Sequence, residues 1–209
     1  MRSVLPSVLP LVLACGLVAC AHDPPPPPAE DTIPANALPP PDVLPVEARA
    51  VPEAGRFVLT GIRRPVVASI TEAGIQGPDV NLGRYKKQNA IEWRGTAFNQ
   101  TANLTVSGSG AEGVVGRNPF KLQVTPAPDG MVVNGLIGSQ PSTVTISKTR
   151  INGGFGRCGY DVVFQGQAYV GPRSCGKELI QVGVTLPPIL ATWSDAEVAT
   201  VLALLMSGR

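Results

Sequence analysis

The sequence predicts an all-β domain, an antiparallel meander that is rolled into a barrel or half-barrel and followed by a C-terminal helix. Three observations lead to this prediction: a Gly-x-x-Gly motif that occurs three times, an apolar alternation after each copy, and a Ser-x-x-Glu helix start near the C-terminus. The domain is predicted to span residues 55–209, and about 155 residues are enough for one hydrophobic core.

The repeated motif marks a strand, a turn and a second strand. Its copies run from Gly113 to Gly116, from Gly135 to Gly138 and from Gly153 to Gly156. Counted from the second glycine, residues at +4, +6 and +8 share one face of a strand, because that spacing has a period of two. Short turns between such strands indicate antiparallel neighbours, roughly eight to ten in all. The residues at these positions are Phe120, Leu122, Val124, then Ser142, Val144, Ile146, then Tyr160, Val162, Phe164.

The glycines of the motif have two possible explanations, a ligand that approaches the backbone or relief of crowding where a sheet curls. A phosphate-binding loop requires glycines that lead into a helix, followed by Lys-Ser or Lys-Thr. The motif has neither feature. We therefore interpret the glycines as structural.

The N-terminus has the features of an export signal. Met1 to Ser3 is a short basic segment, and Val4 to Ala19 is almost entirely apolar but too short to span a bilayer comfortably. The segment ends in Leu-Val-Ala-Cys20, which resembles the lipobox of bacterial lipoproteins. This resemblance covers residues 1–20. It implies removal of a signal peptide, residues 1–19, and diacylation of the Cys20 sulfur.

A second lipobox-like sequence ends at Cys15, and the alternative of an ordinary cleaved signal also stays open. Cysteine counting favours Cys20, because use of Cys15 would leave an odd thiol in an oxidising compartment. In lipoproteins that this one resembles, a residue other than Asp after the cysteine directs the protein to the outer membrane, and Ala21 stands there. We expect a lipid-anchored protein of the cell outer membrane, on its periplasmic or its surface face.

Residues 20–54 are predicted to form a disordered, proline-rich tether. The segment contains an unbroken run from Pro24 to Pro28 and six further prolines. Proline at this density favours the extended polyproline II conformation, so the tether reaches at most roughly 90 Å. Six acidic side chains against Arg49 keep it solvated.

The first half of the domain contains strand candidates at Phe57 to Ile62, Val66 to Thr71 and Ala90 to Phe98, with Ile75 to Asn89 as its least regular part. Basic and aromatic residues occur in or near this irregular stretch. A plain solvated loop is the favoured interpretation of them, and a contact patch for anionic lipid headgroups, glycan or nucleic acid is the alternative. The candidate patch consists of Arg63, Arg64, Arg84, Tyr85, Lys86 and Lys87.

Cys158 and Cys175 are predicted to form a structural disulfide, because exported proteins with two cysteines usually pair them. Both are expected in turns that flank a strand segment. A metal site is not predicted, since the only histidine is His22 in the tether.

The C-terminal segment is predicted to form a helix over residues 195–206. Ser194 is expected to accept a hydrogen bond from the helix start, with Glu197 reaching back to it. The helix is apolar nearly all round, so it should be buried, either at an open end of the sheet or across its face. Docking to a partner or to the membrane surface is the alternative.

The domain lacks histidine, the commonest catalytic base, and contains no recognisable cofactor motif. We therefore expect a protein that is not an enzyme and has no cofactor. The leading hypothesis is an envelope scaffold or assembly component that acts through protein–protein contacts at the end of its tether. The alternative is a carrier with a lipid or other apolar ligand inside a curled sheet. Nucleic acid is not an expected partner, since the exported chain is nearly neutral.

Overall fold

The computed structural model describes residues 55–208, in which fourteen antiparallel strands close into a barrel. Each strand pairs with its neighbours in the chain, and the first strand pairs with the last. The predicted meander and barrel are confirmed. The strands are β1 (Arg56–Thr60), β2 (Val66–Thr71), β3 (Gly74–Gly77), β4 (Val80–Lys86), β5 (Ile91–Ala97), β6 (Gln100–Ser107), β7 (Gly110–Val115), β8 (Asn118–Ala127), β9 (Gly130–Ile137), β10 (Gln140–Ser147), β11 (Arg150–Phe155), β12 (Cys158–Phe164), β13 (Tyr169–Cys175) and β14 (Glu178–Thr185).

The predicted number of strands was too low. Two of the additional strands, β3 and β4, lie in the stretch that was predicted to be irregular. Ile75 and Leu82 point into the core there, but the next inward position after Leu82 carries the charged side chain of Arg84. A charge at an inward position breaks the apolar alternation that identifies a strand.

The period-two pattern after each motif sets the inner face of the barrel. Phe120, Leu122 and Val124 are buried on β8, and the residues between them face outward. Eight of the nine residues at positions +4, +6 and +8 are buried as predicted. Phe164 is the exception, with 43% of its surface exposed. It is the last residue of β12, beyond the core layer, and its ring packs beside Tyr169 instead.

A set of seven glycines explains how the sheet curls. Each lies at an interior or final position of an odd-numbered strand, or directly after the strand. A Cβ atom at any of these positions would lie 2.0–2.2 Å from a carbonyl oxygen of the adjacent even-numbered strand. The structural interpretation of the first glycine in each motif is therefore confirmed. The seven are Gly61, Gly77, Gly95, Gly113, Gly135, Gly153 and Gly171.

The C-terminal helix α1 (Asp195–Ser207) lies inside the barrel. It contacts β6, β7, β8, β9 and β11, and ten of its residues on all sides of the helix are buried. The predicted helix and its burial are confirmed. A short 3-10 helix, Pro188–Thr192, leads from β14 into α1. No helix among residues 55–208 has the length and apolar character that crossing a bilayer requires.

The predicted disulfide between Cys158 and Cys175 is confirmed. The two cysteines do not lie in turns, however. Cys158 begins β12 and Cys175 ends β13, directly opposite each other with their Cα atoms 4.3 Å apart. In the chain-entropy model, closing a loop of this size stabilises the fold by about 3 kcal/mol.

Residues 55–208 belong to one compact unit, and their buried apolar side chains, from Phe57 to Met206, form a single core cluster. All fourteen strands have two neighbours in this unit. It therefore contains a complete core and is expected to fold on its own. Cys20, its rival Cys15 and the segment 20–54 lie outside the described residues.

Candidate binding site at the barrel mouth

The two ends of the barrel differ in their turns and in which end of α1 lies there. We call the mouth the end where each odd-numbered strand turns into the next even-numbered one, as at 98–99, 116–117, 138–139 and 156–157. The C-terminal end of α1 points to the mouth, because Leu204, Ser207 and Gly208 lie among the turn residues there. The N-terminal end of α1 lies at the opposite, far end.

A pocket of about 650 Å³ opens at the mouth. Five hairpins contribute to it, together with the last turn of α1. Its apolar lining includes Phe98, Phe120, Ile137 and Leu204, and the Cys158–Cys175 disulfide forms another part of the wall. This size and this mainly apolar character are typical of small-ligand sites.

A buried hydrogen-bond chain joins the wall of this pocket to α1. Arg173 is 4% exposed; its Nε donates to the Tyr160 hydroxyl at 2.8 Å, and its Nη2 donates to Cys158 Sγ at 3.2 Å. The Tyr160 hydroxyl in turn donates to the Met206 carbonyl at 2.6 Å. A guanidinium near the C-terminal end of a helix is favourable, because the helix dipole is negative there.

We expect the protein to be less stable at high pH, where the Tyr160 hydroxyl of this hydrogen-bond chain ionises. Burial raises the pKa of Tyr160 above its ordinary value of 10.0, although Arg173 acts in the opposite direction. The folded state thus holds this proton more tightly than the unfolded state, so the contribution to stability is complete below pH 10.0 and is lost as the pH rises through the raised pKa.

Thermal unfolding measured in steps above about pH 10 tests this expectation. Tyr160→Phe should have a lower Tm at neutral pH, because it loses the bond to Met206, and a shallower decline at high pH. Part of the decline should remain, since burial also raises the pKa of Tyr169. An equally steep decline in Tyr160→Phe would contradict the assignment.

The turns at the mouth carry a marked excess of positive charge. Of the described residues that line the pocket, Arg157 is the only charged one. Further cations stand in the other turns, with Asp79 as the acid among them and Glu178 at the start of β14. The cations of the mouth turns are Arg63, Arg64, Arg117, Arg157 and Lys177.

Next to the mouth, the outside of the barrel carries a row of four exposed apolar residues, Val114, Pro119, Leu136 and Pro141. Val114 lies directly opposite Pro119, and Leu136 lies directly opposite Pro141. The two pairs are diagonal neighbours across β8 and β9, because Leu136 faces Lys121, two residues beyond Pro119. We call these four residues the apolar row.

The six residues of the predicted basic patch do not lie together. Arg63 and Arg64 stand in the turn after β1, at the mouth, whereas the other four stand at the end of β4, at the far end. Arg84 is buried, and Lys87 forms an ion pair with Glu92. Tyr85 and Lys86 are exposed, and Lys86 Nζ lies 3.3 Å from Glu72 Oε2.

Arg84 instead holds the start of α1. Its Nε and Nη2 lie 2.9 and 2.8 Å from Glu197 Oε1, and its Nη1 lies 2.8 Å from Glu72 Oε2. A hydrogen bond from Trp193 Nε1 to Glu72 Oε1 is the main cause that lowers the pKa of Glu72. Ser194 Oγ accepts from the Glu197 amide, as predicted. The Glu197 carboxylate does not reach the Ser194 amide, however; it binds Arg84 and the Ser194 hydroxyl.

Phe98 is the residue of the pocket that sequence reasoning missed most clearly. Gly95-Thr-Ala-Phe98 is a fourth copy of the motif, since the Gly95 backbone has the same close approach and the +4, +6 and +8 residues Ala102, Leu104 and Val106 are buried. Phe98 takes the place of the second glycine, with φ at +50°. The glycine spacing of 18 residues from Gly95 to Gly113 was the signal for it.

The described residues contain no group of three or more His, Cys, Asp or Glu side chains that would hold a metal ion.

The chain was compared with known proteins at the levels of family, sequence and structure. No family model, curated protein or solved structure matches it.

Proposed function

We propose that this chain is a lipid-anchored, non-enzymatic protein of the outer membrane that acts as an envelope scaffold or assembly component, and that it docks a protein partner beside the barrel mouth. The observation that carries the proposal is the apolar row, which stands on the outside of a barrel whose interior is already occupied by α1. Cys20 provides the lipid anchor, and the proline-rich tether provides reach.

The chemistry around the apolar row specifies the partner. Neighbouring outward positions such as Asn103 and Thr143 are polar, so the apolar row forms a distinct apolar group on this side of the barrel. Arg117 stands in the turn between Val114 and Pro119, and Lys121 faces Leu136. A partner with an apolar centre and an acidic rim would complement this surface.

Replacing Leu136 with lysine is expected to abolish partner binding. The change places a charge in the centre of the apolar row and next to Lys121, so the affinity should fall at least about tenfold. The matched control is Val163→Lys, because Leu136 and Val163 are 45% and 44% exposed and Val163 lies near the far end of β12. Both variants should unfold within about 0.5 kcal/mol of the wild type.

Native mass spectrometry of the full chain, extracted from its envelope in mild detergent, provides the measurement. The wild type and Val163→Lys should carry a partner of the same mass, which high salt should weaken, and Leu136→Lys should not. The same spectra report the anchor, because acylation adds mass at Cys20. A partner retained by Leu136→Lys, or absent from the wild type, would refute docking at the apolar row.

A further inference from the structure

We propose that the mouth pocket binds an anionic amphiphile, with its apolar chain in the pocket and its carboxylate or phosphate against Arg157. This proposal is independent of partner docking. It uses the inward side of the hairpins that line the pocket, whereas the apolar row lies on their outward side and shares only Pro119 with the pocket lining.

The shape and lining of the pocket fit an apolar chain. Its volume of about 650 Å³ lies within the usual range for ligand sites, and it opens to solvent at the mouth while the last turn of α1 closes its inner end. Ile137, Phe120 and Leu204 present apolar surface to this space. A ligand can enter and leave here without opening the barrel, because the pocket is open to solvent at the mouth.

The charge at the rim specifies the other end of the ligand. Arg157 is the only charged side chain among the described residues of the lining, so none of these side chains places a carboxylate beside a bound anion. Arg117 and Lys177 occupy the turns on other hairpins of the mouth, and Arg173 is buried directly behind Cys158. A guanidinium binds carboxylate and phosphate well, because its parallel N–H groups match two oxygens of either anion.

Phe98 adds a second, independent observation. A bulky residue with φ at +50° costs about 1–3 kcal/mol, and such strain is concentrated at functional sites. Three other copies of the motif avoid this cost with Gly116, Gly138 and Gly156 at φ between +60° and +64°. The phenyl ring at this position lines the pocket and lies against Gly208, where an added Cβ atom would come within 2.3 Å of it. The side chain is thus kept at a strained position where it forms part of the pocket wall.

The direct test is a titration of residues 49–209 with cis-parinaric acid, a fluorescent fatty acid, below its micelle concentration. We expect saturable binding of one molecule per chain. Palmitate should displace the probe, and hexadecanol, which has the same chain without the anion, should do so at least about tenfold less well. Lysophosphatidate distinguishes the two sources of the anion: stronger displacement by it than by palmitate assigns a lipid phosphate, and the reverse assigns a free fatty acid.

Adjacent residues on β9 supply a matched pair of variants. Ile137→Trp fills the pocket and should weaken probe binding at least about tenfold, whereas Leu136→Trp points outward and should leave it unchanged. Phe98→Gly is a second variant that keeps the test valid if Ile137→Trp fails to fold. Glycine readily adopts the left-handed backbone conformation at position 98, so this variant should be stable. It should fold and bind the probe several-fold more weakly.

The anion contact has its own matched pair. Arg157 and Arg117 follow the second glycine of their motifs, yet only Arg157 lines the pocket. Arg157→Gln should reduce the affinity for palmitate about tenfold and leave that for hexadecanol unchanged, and Arg117→Gln should change neither. Absence of saturable binding, unchanged binding in Ile137→Trp, or equal losses in both arginine variants would overturn the proposal.

Discussion

Replacing Arg84 with methionine is expected to lower the free energy of unfolding by about 4 kcal/mol, because it removes one partner of a buried ion pair. The side chains of Arg84 and Glu197 are only 5% and 7% exposed, and they meet at 2.8 Å. Methionine retains much of the aliphatic volume of arginine, so the loss reports the charge. The Glu197 carboxylate would keep the Ser194 hydroxyl but lose its cation inside the barrel.

Two further variants separate the ion pair from general damage. Arg84→Met combined with Glu197→Leu removes both charges, and it should recover much of the lost stability. Lys86→Ala is the surface control: Lys86 contacts Glu72 at 3.3 Å but is 67% exposed, so its loss should cost less than about 1 kcal/mol. Urea unfolding of residues 49–209 measures all three. A double variant as unstable as Arg84→Met would show that the pair does not act through its charges.

The position of this ion pair also explains how the far end supports the mouth. Arg84 joins β4 to α1 and, through Glu72, to the turn after β2, while its guanidinium lies 4.9 Å from the centre of the Trp193 ring. These contacts fix the start of α1, and the bond from Tyr160 to Met206 fixes its end. The inner end of the mouth pocket is therefore held by contacts at both ends of the helix.

The sequence predicts the sheet well because the barrel is built from one repeated local rule. In each hairpin that carries the motif, a bend glycine and a turn glycine precede the apolar alternation, and all three signals lie within a short segment of sequence. The glycines also account for the curvature of the sheet, whereas the sequence left a closed barrel and a half-barrel as alternatives. The copy of the motif that ends in Phe98 was not predicted, because glycine is the residue expected at a position with positive φ.

The basic patch was placed wrongly and the mouth pocket was not predicted, because both depend on which residues meet across the closed barrel. Arg64 and Arg84 look like neighbours in the sequence, but successive turns alternate between the two ends, so the strands from β2 to β4 separate them. Residues of five hairpins and of α1 line the pocket. No local sequence pattern indicates that the helix lies inside the barrel. Only the apolar character of α1 on all sides, which predicts burial, indicated this arrangement.

Replacing Gly153 with alanine is expected to cost about 3 kcal/mol of stability, because the strand cannot make room for a methyl group. The added Cβ atom would lie 2.2 Å from the Thr143 carbonyl oxygen on β10, and φ of +125° is unfavourable for any residue with a side chain. Its neighbour provides the control. At Gly154 the nearest atom to an added Cβ is the Cys158 carbonyl oxygen, at 3.7 Å, an ordinary contact.

Gly154→Ala should therefore be neutral or more stable by up to about 1 kcal/mol, since alanine restricts the unfolded chain. The comparison is sharp because both variants add one methyl group to adjacent residues of β11. Urea unfolding of the two distinguishes a clash specific to the bend from a general intolerance of the strand. Equal losses would mean that β11 is merely tightly packed, whereas a loss confined to Gly153→Ala would assign the curvature to the glycines that the odd-numbered strands share.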